Sequence, residues 1–335
     1  MSTAWRQRPE GGGRFAIWVI RSIGRYLGRG VARACLYPIT LYFLIKRGPE
    51  RRASRAYLTH ALGRPATLWD AARHIHTFSA TILDRIYLLG DGDMRRFDIR
   101  VSGVEQVHAQ IDQGRGVLLI GSHLGSFEAL RGLAQSRPDL EVRAVLDKSQ
   151  TPAMTQLLET LNPKVAAGVI DAAQGGLGVT LAIKQATDAG AIVTLLADRV
   201  YPGETVLRAP FLGESAEFPS SPWLIAAALQ VPVSLAFGLY RGGNRYDLVF
   251  ETFSDGITIE RHNRPQALAE LVTRYAQRLE HHARDTPYNW FNFYDFWKND
   301  DDGTGQQQNA AQEGLAGDAD AARRRLRQQR AVRGA

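Results

Sequence analysis

The residues best suited to chemistry lie in VLLIGSHLGSFEALRG, residues 117–132. An apolar run ends at Ile120, Gly121 and Gly125 bracket His123, and Glu128 follows five residues after the histidine. A strand running into a glycine-flanked turn puts His123 at a strand's carboxyl end, where open α/β sheets bind ligands. Within one continuous helix His123 and Glu128 would point about 140° apart. With His123 in the turn and Glu128 in the first turn of a helix running through Leu133, the two side chains can converge. Glu128 could then fix the imidazole tautomer and leave the other ring nitrogen free as a general base. GSHLG sets a histidine where a nucleophile elbow would carry serine, so the attacking oxygen or nitrogen must come from a substrate. Backbone amides near Gly125 and Ser126 are the candidate oxyanion donors. No G-x-S-x-G elbow is present, which disfavours a serine esterase.

Other chemistry-bearing residues lead less far. His74 and His76 are two apart, a spacing that does not share a helix face, so they read as core or surface histidines rather than metal ligands. Asp84-Arg85 reads as a structural ion pair. QGGLGVT, residues 174–180, matches neither a Walker loop nor a dinucleotide fingerprint and reads as a turn before a helix. His281-His282 ends a charged helix and reads as solvated. The aromatic cluster from Tyr288 to Trp297 could bind lipid or close the core.

Around these residues apolar strands and helices alternate. Residues 67–89 form a long helix. Val117–Ile120, Val142–Leu146, Ile192–Leu196, Val233–Tyr240 and Tyr246–Phe250 are strands. Met154–Leu161, Leu177–Asp188, Pro222–Leu229 and Gln266–Arg284 are helices. The expected fold is α/β, a mixed, largely parallel sheet covered by helices, with an N-terminal amphipathic helical membrane module. Residues 1–60 form that module, 61–298 the α/β domain, and 299–335 a disordered Gly/Gln/Ala/Arg-rich tail.

Charge is concentrated at one end. The chain of 335 residues has a net charge of +7, but residues 1–60 hold 12 Lys/Arg against 2 Asp/Glu. The remainder holds 29 basic and 32 acidic residues, unlike a nucleic-acid enzyme with charge across its working face. Arg21, Arg25, Arg29 and Arg33 recur every fourth residue beside Trp18 and aliphatic neighbours, a basic stripe suited to anionic headgroups. Residues 31–45 are apolar but contain Arg33 and Pro38 and fall short of a bilayer span. They are expected to lie on or dip into the membrane. No cleavable signal is evident, so the protein is expected to stay on the cytoplasmic side of a membrane, peripheral or monotopic. One cysteine, Cys35, rules out an internal disulfide.

GSHLGSFE resembles the H-x4-D/E block of the lysophospholipid acyltransferase superfamily, in the form used by lipid A-type late acyltransferases. The likeness extends through RASRAYL (52–58), HTFSATILDRIYLL (76–89), LLADR (195–199) and APFLGESAEFPSSPW (209–223). PYNWFNFYDFW (287–297) is similar to predicted acyltransferases of aryl-polyene and related lipid pathways. The resemblance implies an α/β acyltransferase without a metal or redox cofactor, and an acyl carrier protein or coenzyme A thioester as donor. It implies a lipid or glycolipid acceptor at a membrane surface, with a catalytically silent lipid-binding protein of the same fold as the alternative. By position His123 is the base, Glu128 its partner, and Asp198 and Arg199 the block that binds the acceptor. Lys148 stands where lipid A-type members carry arginine; it lacks the planar fork and favours an acceptor other than glucosamine phosphate.

Overall fold

In a computed structural model of the protein, residues 28–89, 93–131, 137, 140–201 and 203–297 are described. Arg21, Arg25 and the tail at 299–335 therefore lie outside the described residues.

Four helices open the described chain: α1 (Gly28–Ala34), α2 (Leu36–Lys46), α3 (Gly48–Leu62) and α4 (Leu68–Leu89). There follow β1 (Asp98–Ser102), α5 (Glu105–Asp112), β2 (Val117–Gly121), a 3-10 turn (Phe127–Arg131) and β3 (Val142–Leu146). Next come α6 (Pro152–Leu161), α7 (Pro163–Ala167), β4 (Ile170–Asp171), α8 (Gly175–Asp188) and β5 (Ile192–Leu196). β6 (Val206–Phe211), β7 (Glu214–Pro219), α9 (Ser221–Leu229), β8 (Val233–Gly242), β9 (Arg245–Ser254) and α10 (Arg264–Asp285) complete the order.

The sheet has seven strands in the order β1-β9-β8-β2-β5-β3-β4. β8, β2, β5, β3 and β4 are mutually parallel, while β9 runs antiparallel to β8 and parallel to β1. This is the mixed, largely parallel α/β sheet expected from the alternating elements. Central strands read as continuous apolar runs because both faces are covered. Along β2 the side chains alternate between two cores. Leu118 and Ile120 join Tyr57, Phe211, Trp223, Tyr275 and Trp290, whereas Val117 and Leu119 join Leu36, Leu83, Tyr246 and Phe250.

The described N-terminal helices are built into those cores. Ala32 and Leu36 belong to one, and Tyr57, Leu58 and Ala61 to the other. Arg29 and Arg33 therefore correct the expected lipid-facing stripe. Arg29 makes a two-pronged contact with Asp84 (Nε–Oδ1 and Nη2–Oδ2, both 2.8 Å), and Arg33 donates to the Tyr240 hydroxyl. Asp84 is fully buried and also accepts from Tyr246 at 3.0 Å. Asp84 and Arg85 are thus paired with other residues, not with each other. Among the described residues no helix is long and apolar enough to cross a membrane.

Three further elements differ from expectation. β6 and β7 form an antiparallel hairpin whose turn holds Leu212 at φ 53° and Gly213 at φ 91°, and the Leu212 hides the turn from sequence inspection. The glycines of QGGLGVT fall inside the first turn of α8 rather than before it. His282 is buried, with Nε2 2.8 Å from Glu251, rather than solvated.

Candidate active site

The site forms where two adjacent parallel strands end. β2 and β5 pair with Gly121 opposite Leu196. Continuing that register by two residues sets His123 beside Asp198. His123 Nδ1 lies 2.8 Å from Asp198 Oδ1, and the His123 backbone N–H donates to Oδ2 at 2.9 Å. A carboxylate can only accept, so Nδ1 carries the proton and Nε2 has a free lone pair. Among the described residues nothing is hydrogen-bonded to Nε2. The imidazole retains 31% of its side-chain exposure, which leaves an approach for substrate.

The loop after β2 is held by close backbone packing. Gly125 has φ +75°, and a Cβ there would meet the Gly238 carbonyl oxygen at 2.0 Å. Its N–H donates to the Asn289 carbonyl, while the Ser126 N–H donates to the Gly238 carbonyl. Both amides expected as oxyanion donors are therefore engaged by backbone carbonyls. The Phe291 N–H donates to the His123 carbonyl, so residues 123–125 and 289–291 form a short antiparallel pairing.

Glu128 does not occupy the expected place beside the imidazole. It sits in the 3-10 turn, not an α-helix, with Oε1 2.6 Å from Arg85 Nε and Oε2 accepting from Ser126 Oγ at 3.0 Å. Asp198, expected to bind the acceptor, is the acid hydrogen-bonded to His123. Arg199 donates from Nη2 to the Phe291 carbonyl at 3.0 Å, with its guanidinium 5.8 Å from the Tyr294 ring centre. Lys148 lies past the end of β3, with β5 between that strand and β2, and its backbone N–H donates to Asp171. The structure thus brings His123, Asp198 and Arg199 together and leaves Lys148 farther along the same edge.

The electrostatics favour a neutral imidazole over an ionised carboxylate. Burial pushes the His123 pKa below 6.5, Arg199 and Arg85 add to that, and Asp198 opposes them. Burial alone would raise Asp198, yet His123, Arg199 and the Trp290 N–H outweigh it and hold its pKa at about 2. Trp290 donates from Nε1 to Asp198 Oδ2 at 2.9 Å.

His74 and His76 are separated as their spacing demands. His74 is fully buried, with Nδ1 2.8 Å from Ser54 Oγ and Nε2 2.9 Å from the Trp290 carbonyl. His76 stacks on Tyr37. Among the described residues no group of three His, Cys, Asp or Glu could hold a metal ion.

Two contacts of this site escape sequence inspection. Arg85 answers Glu128 from 43 positions earlier, and Trp290 reaches Asp198 from 92 positions later. The one available signal is that His123 and Asp198 each follow closely on the end of an apolar strand.

Comparison with known proteins follows the same residues. A search of curated proteins returns no match. The family model for bacterial lipid A biosynthesis acyltransferases matches residues 83–299, a stretch that contains His123, Glu128, Asp198, Arg199 and Trp290. The chain belongs to the bacterial lipid A biosynthesis acyltransferase family, and with it to the acyltransferases that act on lipid acceptors.

Proposed function

We propose that this protein transfers a fatty acyl group from an acyl-carrier-protein or coenzyme A thioester to a hydroxyl or amine of a lipid or glycolipid. The observation that carries the reading is the His123–Asp198 pair at the ends of β2 and β5. Nε2 takes the proton from the acceptor as its oxygen or nitrogen attacks the thioester carbonyl. The tetrahedral intermediate then expels the thiolate, which recovers the proton from the imidazolium. The products are an acylated lipid and a free thiol. General-base help of this kind contributes about 10²- to 10⁴-fold. Since the Gly125 and Ser126 amides are engaged, positive charge for the oxyanion falls to Arg199. Glu128 then acts on Arg85, holding that cation beside the imidazole.

The same protein would work at the membrane's cytoplasmic face. Tyr37, Leu41, Tyr42 and Ile45 project from one side of α2, and Leu68 and Trp69 are exposed at the start of α4. Aromatic and aliphatic side chains of this kind suit the headgroup boundary. Replacing Tyr42, Ile45 and Trp69 together by serine should abolish co-flotation with anionic lipid vesicles; undiminished flotation would reject this face.

Function is tested by mixing detergent-solubilised protein with labelled palmitoyl thioesters of acyl carrier protein and coenzyme A, together with total membrane lipid. Labelled lipid should form with the intact protein and not with His123→Ala. Lipid binding without transfer from either thioester would favour a silent binding protein.

A further inference from the structure

Trp290 is 1% exposed and lies in the middle of the pairing that backs the catalytic loop. Its ring packs on Tyr57, Phe211 and Phe296 at centroid distances of 5.0, 5.1 and 4.8 Å. Core packing alone does not account for where its N–H goes. Trp223 Nε1 and Trp297 Nε1 are buried and have no hydrogen-bond partner among the described residues. The Trp290 N–H instead meets Asp198 Oδ2, the oxygen that also accepts from the His123 backbone. Asp198 is itself fully buried, so no solvent can replace a lost donor without rearrangement.

The residue is tied at its other end as well. Its carbonyl accepts from His74 Nε2, and His74 is held in turn by Ser54 on α3. On either side the Gly125 N–H meets the Asn289 carbonyl and the Phe291 N–H meets the His123 carbonyl. The indole is thus presented to Asp198 from a backbone fixed by α3, α4 and the loop after β2.

We propose that Trp290 is a positioning residue whose indole N–H holds the Asp198 carboxylate in the orientation that grips His123. The inference rests on the His123 reading given above and extends it to a residue that touches neither the imidazole nor a substrate. Without the N–H, the carboxylate keeps one donor fewer on Oδ2 and turns away from Nδ1. The imidazole then loses both its tautomer control and the anion that supports its positive form.

The test replaces Trp290 by benzothienylalanine, which keeps the bicyclic shape and substitutes sulfur for N–H. Trp290→Phe serves as a second variant, with thermal melting to report the folded fraction. In the full-length protein the pH dependence of His123 modification by diethyl pyrocarbonate is read on the His123 peptide by mass. Asp198→Asn should lower the apparent His123 pKa, since the anion opposing burial, Arg199 and Arg85 is gone. Benzothienylalanine at 290 should lower it too, and the double variant should go no lower than Asp198→Asn alone. Palmitoyl transfer to membrane lipid should lose kcat about tenfold or more, with KM unchanged, as expected for a hydrogen bond to a charged group. An unmoved or raised His123 pKa, or shifts that add in the double variant, would overturn the proposal. Retained transfer by His123→Ala would defeat the functional reading instead, leaving the titration result standing.

Discussion

Asp198 stands 75 positions after His123 in the chain, yet its carboxylate meets both the imidazole Nδ1 and the backbone N–H of that residue. Two contacts from one carboxylate fix the ring and the turn that carries it. Both follow from parallel register, since residues two beyond Gly121 and Leu196 come side by side. The geometry makes Asp198 the acid that holds the imidazole and leaves Nε2 without a hydrogen-bond partner among the described residues.

Acid should inactivate the protein only below the ordinary histidine range. Burial, Arg199 and Arg85 lower the His123 pKa, so its neutral form persists below pH 6.5. Activity is present above that lowered pKa and is lost as pH falls through it. A kcat/KM profile against pH should place the acid limb under 6.5. A limb above 7 would mean that another group controls the rate.

Glu128 should matter through Arg85. The carboxylate lies 2.6 Å from Arg85 Nε and is only 5% exposed, so removing Arg85 leaves a buried charge held by Ser126 alone. Glu128→Gln and Arg85→Met should each reduce transfer, and the double variant should be no worse than the poorer single. A coupling of roughly 0.5–3 kcal/mol is expected for directly contacting groups. Additive losses would show that Glu128 works independently of Arg85.

His74 should make stability depend on pH. Burial lowers its pKa to about 4, while the hydrogen bond with the Trp290 carbonyl only partly opposes the shift. A histidine whose folded pKa lies below the unfolded value of 6.5 gives stability that is full above 6.5. That stability is lost as pH falls toward 4, because the unfolded chain binds the proton first. The loss across the window is about 3 kcal/mol. Denaturant titrations at pH 7 and pH 5 should show a smaller difference for His74→Gln than for the unchanged protein. Equal differences would remove His74 from the acid response.

Much of the fold was legible because strand and helix periods are local. Leu68–Leu89, Ile192–Leu196 and Arg264–Asp285 fall within two residues of their expected bounds. The β6–β7 hairpin was hidden because its turn uses Leu212 at positive φ, a conformation sequence inspection assigns to glycine or asparagine. The site was legible only as a set of residue types. His123, Glu128, Asp198 and Arg199 were all singled out, but which acid met the imidazole depended on strand register. Local spacing favoured Glu128, five positions away, over Asp198. Arg29 and Arg33 misled for a related reason. Periodicity shows which residues share a helix face, not whether Asp84 waits opposite Arg29.

In the proposed reaction His123 acts as the base while Asp198, and not Glu128, orients it. The most direct test is kcat for palmitoyl transfer to membrane lipid by Asp198→Asn beside Glu128→Gln. Asp198→Asn leaves the side chain's shape but removes the charge and unsettles the tautomer. Its kcat should fall by about 10²-fold or more, well beyond the loss in Glu128→Gln. An Asp198→Asn variant as fast as the unchanged protein, with Glu128→Gln inactive, would contradict the assignment.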